Sequence, residues 1–314
     1  MKLIIQPDDG LSPLVQAVRR ARKSIDIVIF RFDRPELEKA IEAAVTRGVV
    51  VRALIAHTNR GGEKNLRKLE LRLLDAGVTV ARTADDLTRY HGKMMIVDDV
   101  LHVYGFNYTR LDIERSRSFG IVTTDGKLVK EACALFQADS TRQPYTPGHD
   151  KLVVSPESSR DLLTTFIKKA NKQLLIYNAK VSDRLVLRAL QERLKAGVEI
   201  RVIGKVDKRL ADVETRKLAD LRLHVRAMVR DSSAAFVGSQ SLRKLELDGR
   251  REVGIIVTDS RIAKKIQAIF EIDWSESAPK EEKKEDKKEE KKEAKKDDKK
   301  DEKAAVATAP AAAR

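Results

Sequence analysis

The sequence predicts an α/β protein built as two copies of one unit, and three observations lead there. The stretch "KLIIQPDDGLSPLVQAVRRARKSIDIVIFRF" from Lys2 lies over "KLVVSPESSRDLLTTFIKKANKQLLIYNAKV" from Lys151 at a constant offset of 149 residues. Within each copy, short β-branched runs alternate with segments of helical period, the alternation expected of an α/β fold. A chain of 314 residues with 42% hydrophobic residues can bury one large core or two ordinary ones, and it needs no staples.

The elements follow in order. Each copy opens with a short strand that ends before Pro7 or Pro156, then a capped amphipathic helix, then the apolar strand "IDIVIF" or "LLIYNA". A second helix ends at Gly48 or Gly197 and leads into "TRGVVVRALI" or "KAGVEIRVIG", where Arg52 matches Arg201. Beyond this point the second copy lacks 16 residues, and the alignment then resumes. "HGKMMIVD" falls over "HVRAMVRD", and "RSFGIVTTD" from Arg117 over "REVGIIVTD" from Arg251, with a one-residue difference in the hairpins between. The connector "TRQPYTPGHD" is turn chemistry and puts the boundary near Pro147. The expected organisation is a first half at 1–140, a linker at 141–150, a second half at 151–278 and a tail at 279–314.

The tail has no aromatic residues, and paired lysines alternate in it with paired acids, a composition that cannot bury a core; disorder, or a fraying single helix, is expected. Residues 280–314 hold thirteen basic and eleven acidic residues, so the body carries +13 of the net +15. That excess points to an anionic partner: a phosphodiester, a nucleic acid or an acidic lipid surface. The N-terminus is too short in apolar residues for a secretory signal, and no run approaches the roughly 18 residues of a membrane span. A soluble, cytoplasmic protein is expected. The lone cysteine, Cys133, sits at helical spacing among apolar residues and reads as a buried core thiol.

The chemistry is concentrated in "YHGKMMIVDD". In an extended chain His91 and Lys93 point to the same side, so a base and a cation share one patch. The second copy places His224, Arg226 and Asp231 where the first has His91, Lys93 and Asp98. Clustered His, Cys and acid spacing suited to zinc is absent, and so is a glycine-rich phosphate loop; no metal and no organic cofactor are expected. His57 reads as a solvated loop residue, while His102 in a hairpin and His149 in the linker read as structural or exposed.

This pattern resembles the phospholipase D superfamily, whose mark is HxKxxxxD followed by GSxN, once in each half of a duplicated chain. The resemblance runs from Lys2 to about Trp274. It has departures: "YGFNYT" keeps Gly105 and Asn107 without the serine, the second motif has Arg226 for lysine, and "GSQS" ends in Ser241 where asparagine is usual. The resemblance implies two similar halves, each a mixed sheet flanked by helices, related by a pseudo-two-fold axis that brings both histidines to one site.

It also implies a reaction. One imidazole attacks phosphorus to form a phosphohistidine, while the other protonates the leaving oxygen and later activates water or an alcohol. His91, whose motif is intact, is assigned as nucleophile and His224 as acid and base, although the sequence supports the exchange equally. Lys93 and Arg226 would hold the non-bridging oxygens, with Asn107, Ser239 and Ser241 as neutral donors. Glu252 stands where the family often keeps an acid that orients a histidine, and its counterpart is Ser118; its other reading is a surface pair with Arg250 or Arg251. Asp98 and Asp231 are expected to fix the turn after the motif strand. The implied activity is a metal-independent phosphodiesterase or phosphatidyltransferase, most readily on phospholipid and with peripheral contact to an anionic membrane. Two alternatives stay open, a phospholipase D-type nuclease and a non-catalytic phosphate or nucleic-acid binder.

Overall fold

The computed structural model describes residues 1–58 and 62–277. The expected disorder of the tail lies outside these residues. In the first half the elements are β1 (Lys2–Gln6), α1 (Ser12–Arg20), β2 (Ser24–Ile29), α2 (Pro35–Thr46), β3 (Val50–Ile55), α3 (Glu63–Asp75), β4 (Thr79–Arg82), β5 (Arg89–Tyr90), β6 (Met94–Val97), β7 (Val100–Tyr104), α4 (Arg110–Glu114), β8 (Ser116–Thr123) and α5 (Gly126–Thr141). The second half has β9 (Leu152–Ser155), α6 (Ser159–Lys168), β10 (Gln173–Val181), α7 (Arg184–Lys195), β11 (Glu199–Val206), β12 (Glu214–Arg216), β13 (Arg222–Leu223), β14 (Arg226–Arg230), β15 (Ala234–Gly238), α8 (Lys244–Asp248), β16 (Arg250–Val257) and α9 (Ser260–Glu276). The 16 residues missing from the second copy correspond to α3, in whose place a single 3₁₀ turn, Lys208–Leu210, links β11 to β12.

Each half forms a mixed sheet, and the two strand orders are the same. The first runs β1-β8-β7-β6-β2-β3-β4, and in the second β9 pairs with β16, followed by β15, β14, β10, β11 and β12. β2, β3 and β4 are parallel, while β6 joins β2 antiparallel. The one-residue hairpin difference is seen directly: Val97 pairs with Val100, whereas Arg230 pairs with Ala234.

Each half also lends a strand to the other. β5 runs parallel to β16, and β13 runs parallel to β8. Two buried ion pairs repeat this reciprocity. Arg117 on β8 binds Asp273 on α9 at 2.9 Å, and Arg251 on β16 binds Asp139 on α5 at 3.1 Å. Such exchange is what a pseudo-two-fold relation requires. A pair of this kind tolerates only one geometry, because either charge left alone in the interior costs several kcal/mol.

Three apolar clusters fill the body. One belongs to the first half and one to the second, while the third draws on both: Leu128, Leu135 and Phe136 of α5, Leu152 and Val154 of β9, and Phe270 and Trp274 of α9. The halves therefore share a core.

Two local expectations are corrected. Neither α1 nor α6 has a side-chain cap: the residue before α1 is Leu11, and the Ser158 hydroxyl turns back to the carbonyl of Val154. Cys133 is only half-buried, because its face of α5 lies at the margin of the shared core.

Candidate active site

The residues entering both motifs are held by the opposite sheet. The backbone N–H groups of His91 and Gly92 donate to the carbonyl of Arg251 at 2.7 and 3.0 Å, and Arg222 N–H donates to the carbonyl of Arg115. At Gly92 the chain approaches β16 so closely that a Cβ would lie 2.8 Å from Cγ2 of Val253, so a larger residue there would have to displace that side chain. His91 is thus delivered to β16, and His224 to β8.

On the His91 side, Nδ1 lies 2.8 Å from Oε2 of Glu252, a carboxylate with no exposed surface. Lys93 Nζ is 2.9 Å from Nδ1 and 2.8 Å from Nε2 of the same ring. Phe30 packs edge-on against the imidazole at 4.5 Å. Burial, then Lys93, Arg250, Arg226 and Arg89, hold His91 well below the usual histidine value. Burial also lowers Lys93 to about 7 against the pull of Glu252 and Asp112, and it raises Glu252 against the pull of Lys93. Glu252 is therefore no surface pair: Arg250 is 3.9 Å away, and the near partner is the histidine of the other half.

On the His224 side, the nearest carboxylate is Asp112 of α4, whose Oδ2 lies 3.6 Å from Nδ1. Burial, with Lys93, Arg226 and Arg222, depresses His224 well below the usual value against the opposing pull of Asp112. Lys93 and Arg226 oppose protonation of both imidazoles.

Arg226 differs from Lys93 in its commitments. Its Nε donates to Ser241 Oγ at 2.9 Å and its Nη1 to the carbonyls of His224 and Val225. Burial lowers it to about 10. Asn107, Ser239 and Ser241, expected as donors to phosphate, are engaged within the protein. Asn107 donates from Nδ2 to Asp112, Ser239 exchanges bonds with the backbone of Val253, and Ser241 accepts from Arg226 and donates to Asn178 at 3.3 Å.

Asp98 accepts the backbone N–H groups of Arg22, Lys23 and Ser24, and Asp231 those of Asn171, Lys172 and Gln173. Each ties the hairpin after its motif to the start of β2 or β10, at the strand end away from the histidine. His57 is exposed, His102 is buried in β7, and His149 lies in the connector near Asp150. Among the described residues no group of three His, Cys, Asp or Glu side chains is placed to hold a metal ion, and no helix is long and apolar enough to cross a membrane.

Sequence reasoning missed Asp112, Arg222 and the two seam ion pairs. A signal for them existed. At the offset of 134 that applies after the hairpins, Arg117 falls on Arg251, Asp139 on Asp273, and Asp112 on Glu246, so basic and acidic residues recur at matched places.

A duplicated α/β body in which each half carries a histidine and a cation to the strand exchanged with the other half defines a class of two-motif folds. The sequence matches the family model described as cardiolipin synthase, PLD-like domain, over residues 14–140 and 163–274, and the chain belongs to the phospholipase D superfamily. Over 125 residues it is 30% identical to the mitochondrial cardiolipin hydrolases of Homo sapiens and Mus musculus, which is 39% of this chain and 48% and 54% of theirs. The match thus spans about half the length of these relatives. In fold it is similar to a polyphosphate kinase from Porphyromonas gingivalis, with a TM-score of 0.72, 18% identity, and 86% of this chain and 46% of that one covered. A phosphatidylserine synthase of Haemophilus influenzae Rd KW20 gives a TM-score of 0.65 at 10% identity, with 85% and 84% covered.

Proposed function

We propose that the chain is a phosphodiesterase or phosphatidyltransferase that acts on phospholipid through a phosphohistidine on His91, without a metal. The observation that carries this reading is the 2.8 Å contact of His91 Nδ1 with fully buried Glu252 from the opposite half. A proton on Nδ1 held by that carboxylate leaves the Nε2 lone pair to attack phosphorus. The bond to the leaving oxygen then breaks, and that oxygen takes a proton from His224. In the second step water or an alcohol gives a proton to His224 and attacks phosphorus, the P–N bond breaks, and His91 is restored.

Lys93 moves from the imidazole to the non-bridging oxygens when phosphate arrives, and the phosphate's negative charge keeps its ammonium protonated near neutral pH. Arg226 adds a second cation. Phospholipid is favoured over nucleic acid by the description of the matching family and by the cardiolipin hydrolases among its relatives. The +13 body suits an anionic headgroup surface. A second reading draws on the bonds from Arg226 to its own backbone carbonyls: the second motif holds phosphate and takes no part in proton transfer.

The test is to incubate the full chain, in chelator, with vesicles containing cardiolipin or phosphatidylglycerol, and separately with single-stranded and duplex DNA, and to quench for a phosphorus–nitrogen adduct. Lipid turnover that survives chelation, with label on His91, is expected. Cleavage of DNA alone, or lipid turnover unaffected by His91→Ala, overturns the reading.

A further inference from the structure

The two histidines are equivalent by symmetry, yet their carboxylate partners are not. The position matching Glu252 is Ser118, on β8, whose buried hydroxyl has no hydrogen-bond partner among the described residues. A carboxylate that steadies His224 must therefore come from elsewhere. We propose that Asp112, on α4, is the positioning residue for His224, doing from a helix what Glu252 does for His91 from a strand. This rests on the two-histidine reading of the site.

The geometry is specific. Asp112 is 2% exposed. Its Oδ2 accepts the backbone N–H of Asn107 at 2.9 Å and Asn107 Nδ2 at 2.6 Å, and its Oδ1 accepts Arg222 Nη1 at 2.6 Å. Arg222 lies two residues before His224 on β13, and β13 pairs with β8 beside α4. One carboxylate thus grips the incoming strand through Arg222 and faces the ring that the strand delivers. His224 Nδ1 is buried and makes no hydrogen bond among the described residues, so Asp112 is the acceptor within closest reach.

The 3.6 Å separation exceeds a hydrogen bond but suits an ion pair once the ring carries a proton. A general acid must carry that proton when the leaving oxygen departs. Lys93, Arg226 and Arg222 all oppose protonation of His224, and Asp112 is the group that favours it. Glu246, the counterpart of Asp112 on α8, is turned instead to Arg243 and Arg250. His91 already has Glu252, so Glu246 is not needed for that task.

The test compares the wild-type full chain with Asp112→Asn and Asp112→Glu, using histidine ring ¹⁵N NMR across pH and turnover of bis(p-nitrophenyl) phosphate in chelator. In Asp112→Asn the His224 titration is expected to move to lower pH while that of His91 stays in place. Turnover should fall about tenfold in kcat with little change in KM, and Asp112→Glu should restore most of it. Where the Asn variant fails to fold, Asp112→Ser serves the same comparison. Wild-type ring shifts and titration for His224 in the folded Asn or Ser variant would overturn the proposal. A shifted titration in a protein that turns over no phosphodiester, even as wild type, would uphold the positioning role and reject the functional reading.

Discussion

The niches of His91 and His224 descend from one repeat, and they differ in how each ring is held. His91 has a carboxylate at hydrogen-bond distance, a lysine against its nitrogens and an aromatic ring at its edge. His224 has a carboxylate at ion-pair distance and an arginine that is partly bound to its own backbone. The difference suits a division of labour. A nucleophile gains from a fixed tautomer and a fixed direction of attack, whereas a proton carrier must change charge during the cycle, which a looser ionic partner permits. Two copies of one template are free to diverge in this way at matched positions, as at Glu252 against Ser118 and Ser239 against Gly105.

The largest expected effect breaks this comparison outright. His91→Ala should lower phosphodiester turnover by about 10⁴-fold, roughly 5 kcal/mol, while the thermal midpoint moves by only a few degrees. His224→Ala should still allow labelling of His91 when the leaving group needs no proton, as with a nitrophenolate. Label that appears on His224 in the His91 variant would exchange the roles.

Next comes a comparison of stability in acid. His102 on β7 is buried and held at about 4 by desolvation and by Lys2, and the matched residue on β15 is Phe236. Its folded value lies below its unfolded one. Between pH 6.5 and 4 the unfolded chain therefore takes up a proton that the folded chain refuses, and stability falls as pH falls, by about 3 kcal/mol at the acid end. His102→Phe should flatten that loss in denaturation curves taken at pH 7 and pH 4. An unchanged difference between the two pH values would place the acid sensitivity elsewhere.

Glu252→Gln and Ser118→Ala form a matched pair. Removing the buried charge beside His91 should cost about 2 kcal/mol in kcat, or roughly thirtyfold, whereas Ser118→Ala should change turnover by less than about twofold. Equal effects would mean that the two positions never diverged in role. The smallest effect is at Arg226. Arg226→Ala should lower turnover by about tenfold, and Arg226→Lys should leave it near wild type or raise it. If neither variant alters turnover, the second motif contributes no cation, and the reading in which it holds phosphate falls with the two-motif mechanism.

The repeat was legible in the sequence because strand and helix periods, prolines and glycines recur at one offset, and local patterns of that kind need no knowledge of the fold. The histidines, Lys93 and Arg226 were legible for the same reason. Asn107, Ser239 and Ser241 were legible as motif positions, but their partners within the protein were not, since a hydroxyl or amide has no preferred target until the neighbouring backbone is in place. The cap expected on α1 is absent because the residue before the helix is Leu11, whose side chain has no acceptor to offer.

By itself the sequence determined the α/β class, the duplication, the motif residues and the basic excess of the body, all of which are properties of order along the chain. Only the tertiary structure decided that β5 and β13 cross into the opposite sheets, that Glu252 serves the histidine of the other half, and that Asp112 faces His224. Those contacts join residues from 106 to 161 positions apart, and their direction is set by how two sheets share a core and two buried ion pairs. A charge in the sequence carries no sign of its partner. Burial gives it one, because an unpaired charge in the interior is too costly to persist.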